Sequence, residues 1–172
     1  MERICLRLMF EQDLAMLHEW LNRPHVLEWW GGQRPTLGMV REKYEPRIMA
    51  EEQVTPYIAL LDDKPFAFAQ TYVVTGSGGG WWAGETDPGA RGIDQFIADP
   101  NLLGKGFGTA HVSAMADLLF ADPSVSTIQA DPAPSNTRAI HVYEKAGFRR
   151  AGVIETPDGH AILMLKERPA LP

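Results

Sequence analysis

Two short segments carry residue types at spacings that suit chemistry. The first is Gly104-Lys105-Gly106-Phe107-Gly108-Thr109, between a strand-like run and an amphipathic helical run. Glycines there let the backbone approach a ligand closely. Successive N–H groups at a helix start converge on one point, an arrangement suited to a pyrophosphate. The spacing departs from the P-loop, which needs a longer gap before Gly-Lys. It also departs from the dinucleotide fingerprint, since no βαβ unit begins there. Alone, Gly-x-Gly-x-Gly is a weak signal, and a tight structural turn is its default reading. The second segment runs from Ser135 to Phe148. Its Asn136 and Tyr143 are two helical turns apart and so project from one face. Alone, this too reads as an ordinary helix closed by Gly147.

Around these segments the chain offers few other reactive groups. Residues 76–92 hold seven of the sixteen glycines together with Trp81 and Trp82. Two adjacent indoles in such a loop either plug the core beneath it or form part of a site. The histidines at 18, 25, 111, 141 and 160 show no metal spacing, and Cys5 is the only cysteine. No disulfide and no metal are therefore expected, and Cys5 reads as a small strand residue. Net charge is −6, which disfavours nucleic acid and is compatible with a cationic ligand. Met1-Glu2-Arg3-Ile4 lacks the pattern of a signal peptide, and no stretch approaches a membrane span. A cytoplasmic protein is expected.

The elements that must position these residues can be read from periodicity. Ile4, Leu6 and Leu8 alternate as a strand, and residues 11–22 switch to helical spacing that Pro24 ends. Thr36 can cap a helix through Tyr44, which Pro46 kinks or interrupts. Strands near 57–61 and 66–74 flank a hairpin turn at Asp62-Asp63-Lys64-Pro65. After the glycine-rich loop come a strand at 92–98, a helix near 106–121 and a strand at 126–130. A helix opened by Ser135, and strands at 149–155 and 160–166 around Thr156-Pro157-Asp158-Gly159, complete the chain. With 172 residues and no linker or repeat, this is one α+β domain, residues 1–172, around a mixed, mostly antiparallel sheet flanked by helices.

Taken together, the glycine turn and the Asn…Tyr helix resemble the GNAT superfamily of acetyl-coenzyme A-dependent N-acetyltransferases. The resemblance implies a twisted sheet whose central strands splay apart, with acetyl-coenzyme A as the co-substrate. It implies that Gln95, Phe96 and Ile97 line the pantetheine through their backbone. Lys105, Gly106, Phe107, Gly108 and Thr109 would cradle the pyrophosphate, while Asn136 and Tyr143 flank the pantetheine and thioester. One departure is Leu103, where the superfamily turn usually begins with Gln or Arg. The resemblance narrows through Glu28-Trp29-Trp30-Gly31-Gly32, Val54-Thr55-Pro56-Tyr57, Gly80-Trp81-Trp82, Thr86-Asp87-Pro88-Gly89, Arg91-Gly92-Ile93-Asp94-Gln95 and Asp131-Pro132-Ala133-Pro134. These look like aminoglycoside 6'-N-acetyltransferases of the integron-borne type, over about residues 6–168. Gly78-Gly79-Gly80 departs from relatives that carry an acidic residue in that loop.

For such an enzyme the acceptor site should present carboxylates to a polycation. The resemblance assigns Asp94 as general base, directly or through water, with a strand-end charge as the bland alternative. Asp131 ends the neighbouring strand and faces the same acceptor. Trp29, Trp30 and Trp82 form walls for sugar rings or else belong to the core, and Glu52 and Asp158 add negative charge at the rim. Tyr143 either protonates the leaving thiolate or packs on the pantetheine. Monomer and homodimer are both open. A protein N-terminus or a siderophore amine is the alternative acceptor, and a module that binds without catalysis is the remaining alternative.

Overall fold

The computed structural model describes residues 2–171. Strand β1 (Ile4–Leu8) leads through a 3-10 turn at Glu11–Asp13 into helix α1 (Leu14–Leu21). Asp13 fixes that junction, because its carboxylate accepts two bonds from Arg7, at 2.7 and 2.8 Å, and one from the Phe10 N–H. Pro24 both ends the first helix and opens α2 (Pro24–Leu27) as its first residue, where a missing N–H costs nothing. Thr36 caps α3 (Leu37–Ile48) by accepting from the Met39 N–H. The helix runs on through Pro46, which sequence spacing marks as a kink or an interruption. Val40 and Tyr44, each 1% exposed, anchor it in the core, and that packing outweighs one lost backbone bond.

Strands β2 (Val54–Leu61) and β3 (Lys64–Val73) are joined by Asp62 and Asp63, both left-handed with φ of 47° and 66°. Two such residues form the tight turn whose twist matches a hairpin. Then follow β4 (Ala90–Ile97), a 3-10 turn at Pro100–Leu102, α4 (Phe107–Phe120), β5 (Thr127–Ala130) and α5 (Thr137–Lys145). Strands β6 (Arg149–Thr156) and β7 (Gly159–Glu167) close the chain, with a register break between Arg150 and Val153. Asn136, rather than Ser135, caps α5 by accepting from the Ala139 N–H.

The seven strands lie in one sheet in the order β1-β2-β3-β4-β5-β7-β6. Pairs β1–β2, β5–β7 and β6–β7 are antiparallel, and β4–β5 is parallel. The chain falls into two compact units, Met1–Gln70 with Gln95–His111 and Thr71–Asp94 with Val112–Pro172.

In the first unit Phe68 is fully buried, with Phe96 stacked at 5.3 Å and Trp30 and Tyr44 edge-on, both at 5.7 Å. Removing such a ring costs about 3–5 kcal/mol. His111 is buried there too, its Nε2 3.3 Å from the Phe68 carbonyl, and burial pushes its pKa down to about 4. It is a neutral core residue at physiological pH. In the second unit Ile128 and Met164 are fully buried, with Ile140, Tyr143 and Phe148 nearly so. Among the described residues no helix is long and apolar enough to cross a membrane.

Candidate active site

The second unit gathers the acidic residues. Strands β4 and β5 are in register only at Ala90–Thr127, Arg91–Ile128 and Gly92–Gln129. Asp94 lies two residues beyond the last pair on one strand, and Asp131 two beyond it on the other. The carboxylates therefore sit level where parallel pairing has ended. Both residues are half-buried. Burial, then the charge of Asp94, then that of Asp158, raise the Asp131 pKa to about 7. Two half-buried carboxylates this close cannot both ionise without cost, and a cation between them would remove that cost.

Tyr72, on β3, lies within the electrostatic reach of this pair. Its phenol is pushed well up from the ordinary range by burial, then by Asp94 and Asp131, and Tyr143 acts in the same direction. The Trp82 indole Nε1–H donates to the Tyr72 hydroxyl at 3.2 Å. Trp82 itself is left-handed, with φ of 53°, an uncommon and strained state for a bulky residue. The loop carrying it is tied down by its own carboxylates. Glu85 accepts from the Gln129 amide and from the N–H groups of Thr86 and Asp87. Asp87 accepts from the Ser126 hydroxyl and the Gly89 N–H. Those two acidic residues are occupied in holding the loop.

Tyr143, on α5, is 5% exposed and its ring lies 5.3 Å from that of Phe148. Asn136 spends its side-chain oxygen on the helix cap, so its amide N–H₂ is what it can offer a ligand. Asp158 is exposed at the β6–β7 turn, where its N–H donates to the Thr156 hydroxyl.

The first unit holds the glycine turn. Gly104 and Gly106 have φ of 72° and 90°, and a Cβ at either would meet nothing within 4 Å. The backbone is thus open on that side, just before the first turn of α4, which contains Gly108 and Thr109, and Lys105 is exposed. This geometry fits a phosphate-bearing ligand. Leu103 and Phe107 pack instead into the apolar cluster of Ala59, Phe66, Ala67 and Ile97.

Just past β4, the Ala98 N–H donates to the Phe66 carbonyl at 2.8 Å. Peptide groups alternate edges along a strand, so Phe96 shares that edge, while Gln95 and Ile97 face the other. The Ile97 carbonyl is already 2.9 Å from His25 Nε2. Of the three residues read as lining a pantetheine, Gln95 and Ile97 thus direct their backbone groups to the edge where pairing with β5 has ended. Trp30 is partly buried and packs edge-on against the core, 5.0 Å from Phe96, whereas Trp29 is 40% exposed. The Glu52 carboxylate pairs with Arg47 at 3.0 Å. Among the described residues no group of three or more His, Cys, Asp or Glu could hold a metal ion.

A sequence profile of the acetyltransferase (GNAT) domain matches residues 9–156. The chain belongs to the GNAT acetyltransferase family. Within that family it is 58% identical over 171 residues to aminoglycoside N(6')-acetyltransferase type 1 of Klebsiella pneumoniae. The match covers 98% of this chain and 85% of that one. The solved structure of AAC(6')-Ib with paromomycin and acetyl-coenzyme A superposes with a TM-score of 0.93 at 60% identity. It covers 96% of this chain and 93% of the other. AAC(6')-Ib with coenzyme A and kanamycin gives 0.92 at 58% identity, covering 96% and 95%.

In this GNAT chain sequence reasoning passed over Tyr72, and one signal could have found it. Glycine inside a strand marks a close approach, and a Cβ at Gly92 would stand 2.2 Å from the Tyr72 ring. Glu85 and Gln129 carry no comparable signal, because their partnership exists only after the loop folds back on β5.

Proposed function

We propose that the protein transfers the acetyl group of acetyl-coenzyme A to the 6'-amine of aminoglycoside antibiotics and so confers resistance to them. The observation that carries this reading is the 58% identity to an aminoglycoside N(6')-acetyltransferase over 98% of the chain. The acidic cluster supports it independently, since Asp94, Asp131 and Asp158 suit an acceptor with several ammonium groups. The whole chain acts as one acetyltransferase domain in the cytoplasm, with no metal, as a monomer or a homodimer.

Acetyl-coenzyme A supplies an acyl group activated as a thioester. The backbone N–H groups at Gly106, Gly108 and Thr109 hold its pyrophosphate, Lys105 adds charge, and Gln95 with the Ile97 N–H binds the pantetheine. Asp94 and Asp131 hold the acceptor ammonium, whose charge favours loss of the Asp131 proton to solvent. Asp94 takes a proton from the bound ammonium, directly or through water, leaving a neutral amine whose lone pair attacks the thioester carbonyl. The second proton that nitrogen sheds as the amide forms replaces the one Tyr143 gives up. A backbone N–H of β4 stabilises the carbonyl oxygen as it becomes an oxyanion. The C–S bond breaks, and Tyr143 gives its proton to the departing sulfur. Trp82 walls the sugar ring, and exposed Asp158 adds charge at the rim.

Thiol release in the presence of acetyl-coenzyme A tests the acceptor. Kanamycin A, with a 6'-amine, should be turned over, and paromomycin, with a 6'-hydroxyl, should not. Equal turnover of both would reject the 6' position. Turnover of neither would reject aminoglycosides and point to another amine, such as a protein N-terminus or a siderophore precursor.

A further inference from the structure

Tyr72 is hydrogen-bonded to Trp82 and lies near enough to Asp94 and Asp131 for their charges to act on its phenol. Its ring tip lies flat over Gly92, where an added Cβ would fall 2.2 Å from Cε2 and Cζ and 2.6 Å from the hydroxyl oxygen. Gly92 and Asp94 are two apart on one strand and share a face, so the hydroxyl is set beside Asp94. That oxygen accepts from the Trp82 indole N–H at 3.2 Å.

Trp82 needs such a tether. It occupies a left-handed backbone state at φ 53°, in a run where Gly78, Gly79 and Gly80 are also left-handed. Turn bonds from the Trp81 N–H to the Gly78 carbonyl and from the Glu85 N–H to the Trp82 carbonyl hold the backbone. The Glu85 and Asp87 anchors act after Trp82, and none of these bonds acts on its ring. The indole is thus placed by its bond to Tyr72.

We infer that Tyr72 is a specificity-determining positioning residue: through Trp82 it fixes the aromatic wall beside the Asp94–Asp131 pair, against which the acceptor's sugar ring rests. This rests on the aminoglycoside reading above. The persistently protonated phenol suits the role, because a phenolate beside two carboxylates would repel its own site. The Gly92–Tyr72 contact belongs to the same device, since any larger residue at 92 would push the ring away.

The test is a double-mutant cycle of Tyr72→Phe and Trp82→Phe, with steady-state kinetics on kanamycin A. Tyr72→Phe should raise the acceptor KM about three- to tenfold, the reach of one hydrogen bond. Turnover should move less than about twofold, and the acetyl-coenzyme A KM should not move. In the Trp82→Phe background, Tyr72→Phe should add nothing, and the acceptor-induced change in tryptophan fluorescence should shrink in both single variants. Gly92→Ala, which displaces the ring without removing the hydroxyl, should raise the acceptor KM in the same way. An unaltered acceptor KM in folded Tyr72→Phe overturns the assignment. So does an undiminished effect of Tyr72→Phe when Trp82 is already Phe, because Tyr72 would then act without Trp82. A wild-type enzyme that fails to acetylate kanamycin A would instead reject the aminoglycoside reading, leaving the two failures distinct.

Discussion

Asp94 and Asp131 each lie two residues beyond the last β4–β5 register pair, and the charge of the first acts on the second. Burial, then the charge of Asp94, let Asp131 retain its proton up to about pH 7. An acid whose pKa rises on folding favours the folded state when protonated. Stability is therefore lost as pH climbs from the unfolded value of 3.8 towards about 7. Asp131→Asn should relieve that cost, on the order of a few kcal/mol by the linkage arithmetic. Its melting temperature should exceed the wild type's at pH 8, and the gap should close towards pH 4, while the acceptor KM rises. A variant no more stable at pH 8 would contradict the charge crowding. For Asp94, replacement by Asn keeps shape and removes basicity, so turnover should fall about 10²–10⁴-fold with little change in coenzyme affinity. Full activity in Asp94→Asn would place the base elsewhere. Tyr143→Phe separates two roles for a ring that is packed on Phe148. Lost turnover with level KM values marks a proton donor to sulfur, and weaker coenzyme binding alone marks a packing element.

At the scale of elements, the turn into α4 carries the coenzyme assignment. Gly106 is left-handed, at φ 90°, with open space where a Cβ would stand. Gly106→Val would strain that backbone and cover the exposed N–H groups, so the acetyl-coenzyme A KM should rise while the protein stays folded. Unchanged coenzyme kinetics would remove the turn from the site. Much of this architecture is legible in the residues alone. Alternation marks β1, Thr36 marks a helix start, and Asp62-Asp63 marks a hairpin, because each depends on local chemistry. What resists reading depends on distant partners. Pro46 does not break α3, because Val40 and Tyr44 hold the helix from below. Trp30 and Trp29 are neighbours in a run that looks like one wall, yet Trp30 packs on Phe68 and Phe96 while Trp29 stays exposed. Glu52 reads as a free rim charge until Arg47, which also donates to Gln70, takes it up. His111 shows no sequence sign of being a neutral core group.

Across the whole molecule, a net charge of −6 and a local concentration of carboxylates favour a polycationic acceptor over nucleic acid. The same crowding weakens the free enzyme, so the site trades stability for attraction until a cation arrives. The proposed reaction is acetyl transfer to one nitrogen of the acceptor. Mass spectrometry with NMR of kanamycin A, after incubation with the enzyme and acetyl-coenzyme A, tests this most directly. The expected product carries a single acetyl group on the 6'-nitrogen, with the other amines unchanged. Recovery of unmodified kanamycin A, or acetylation at a different amine, would contradict it.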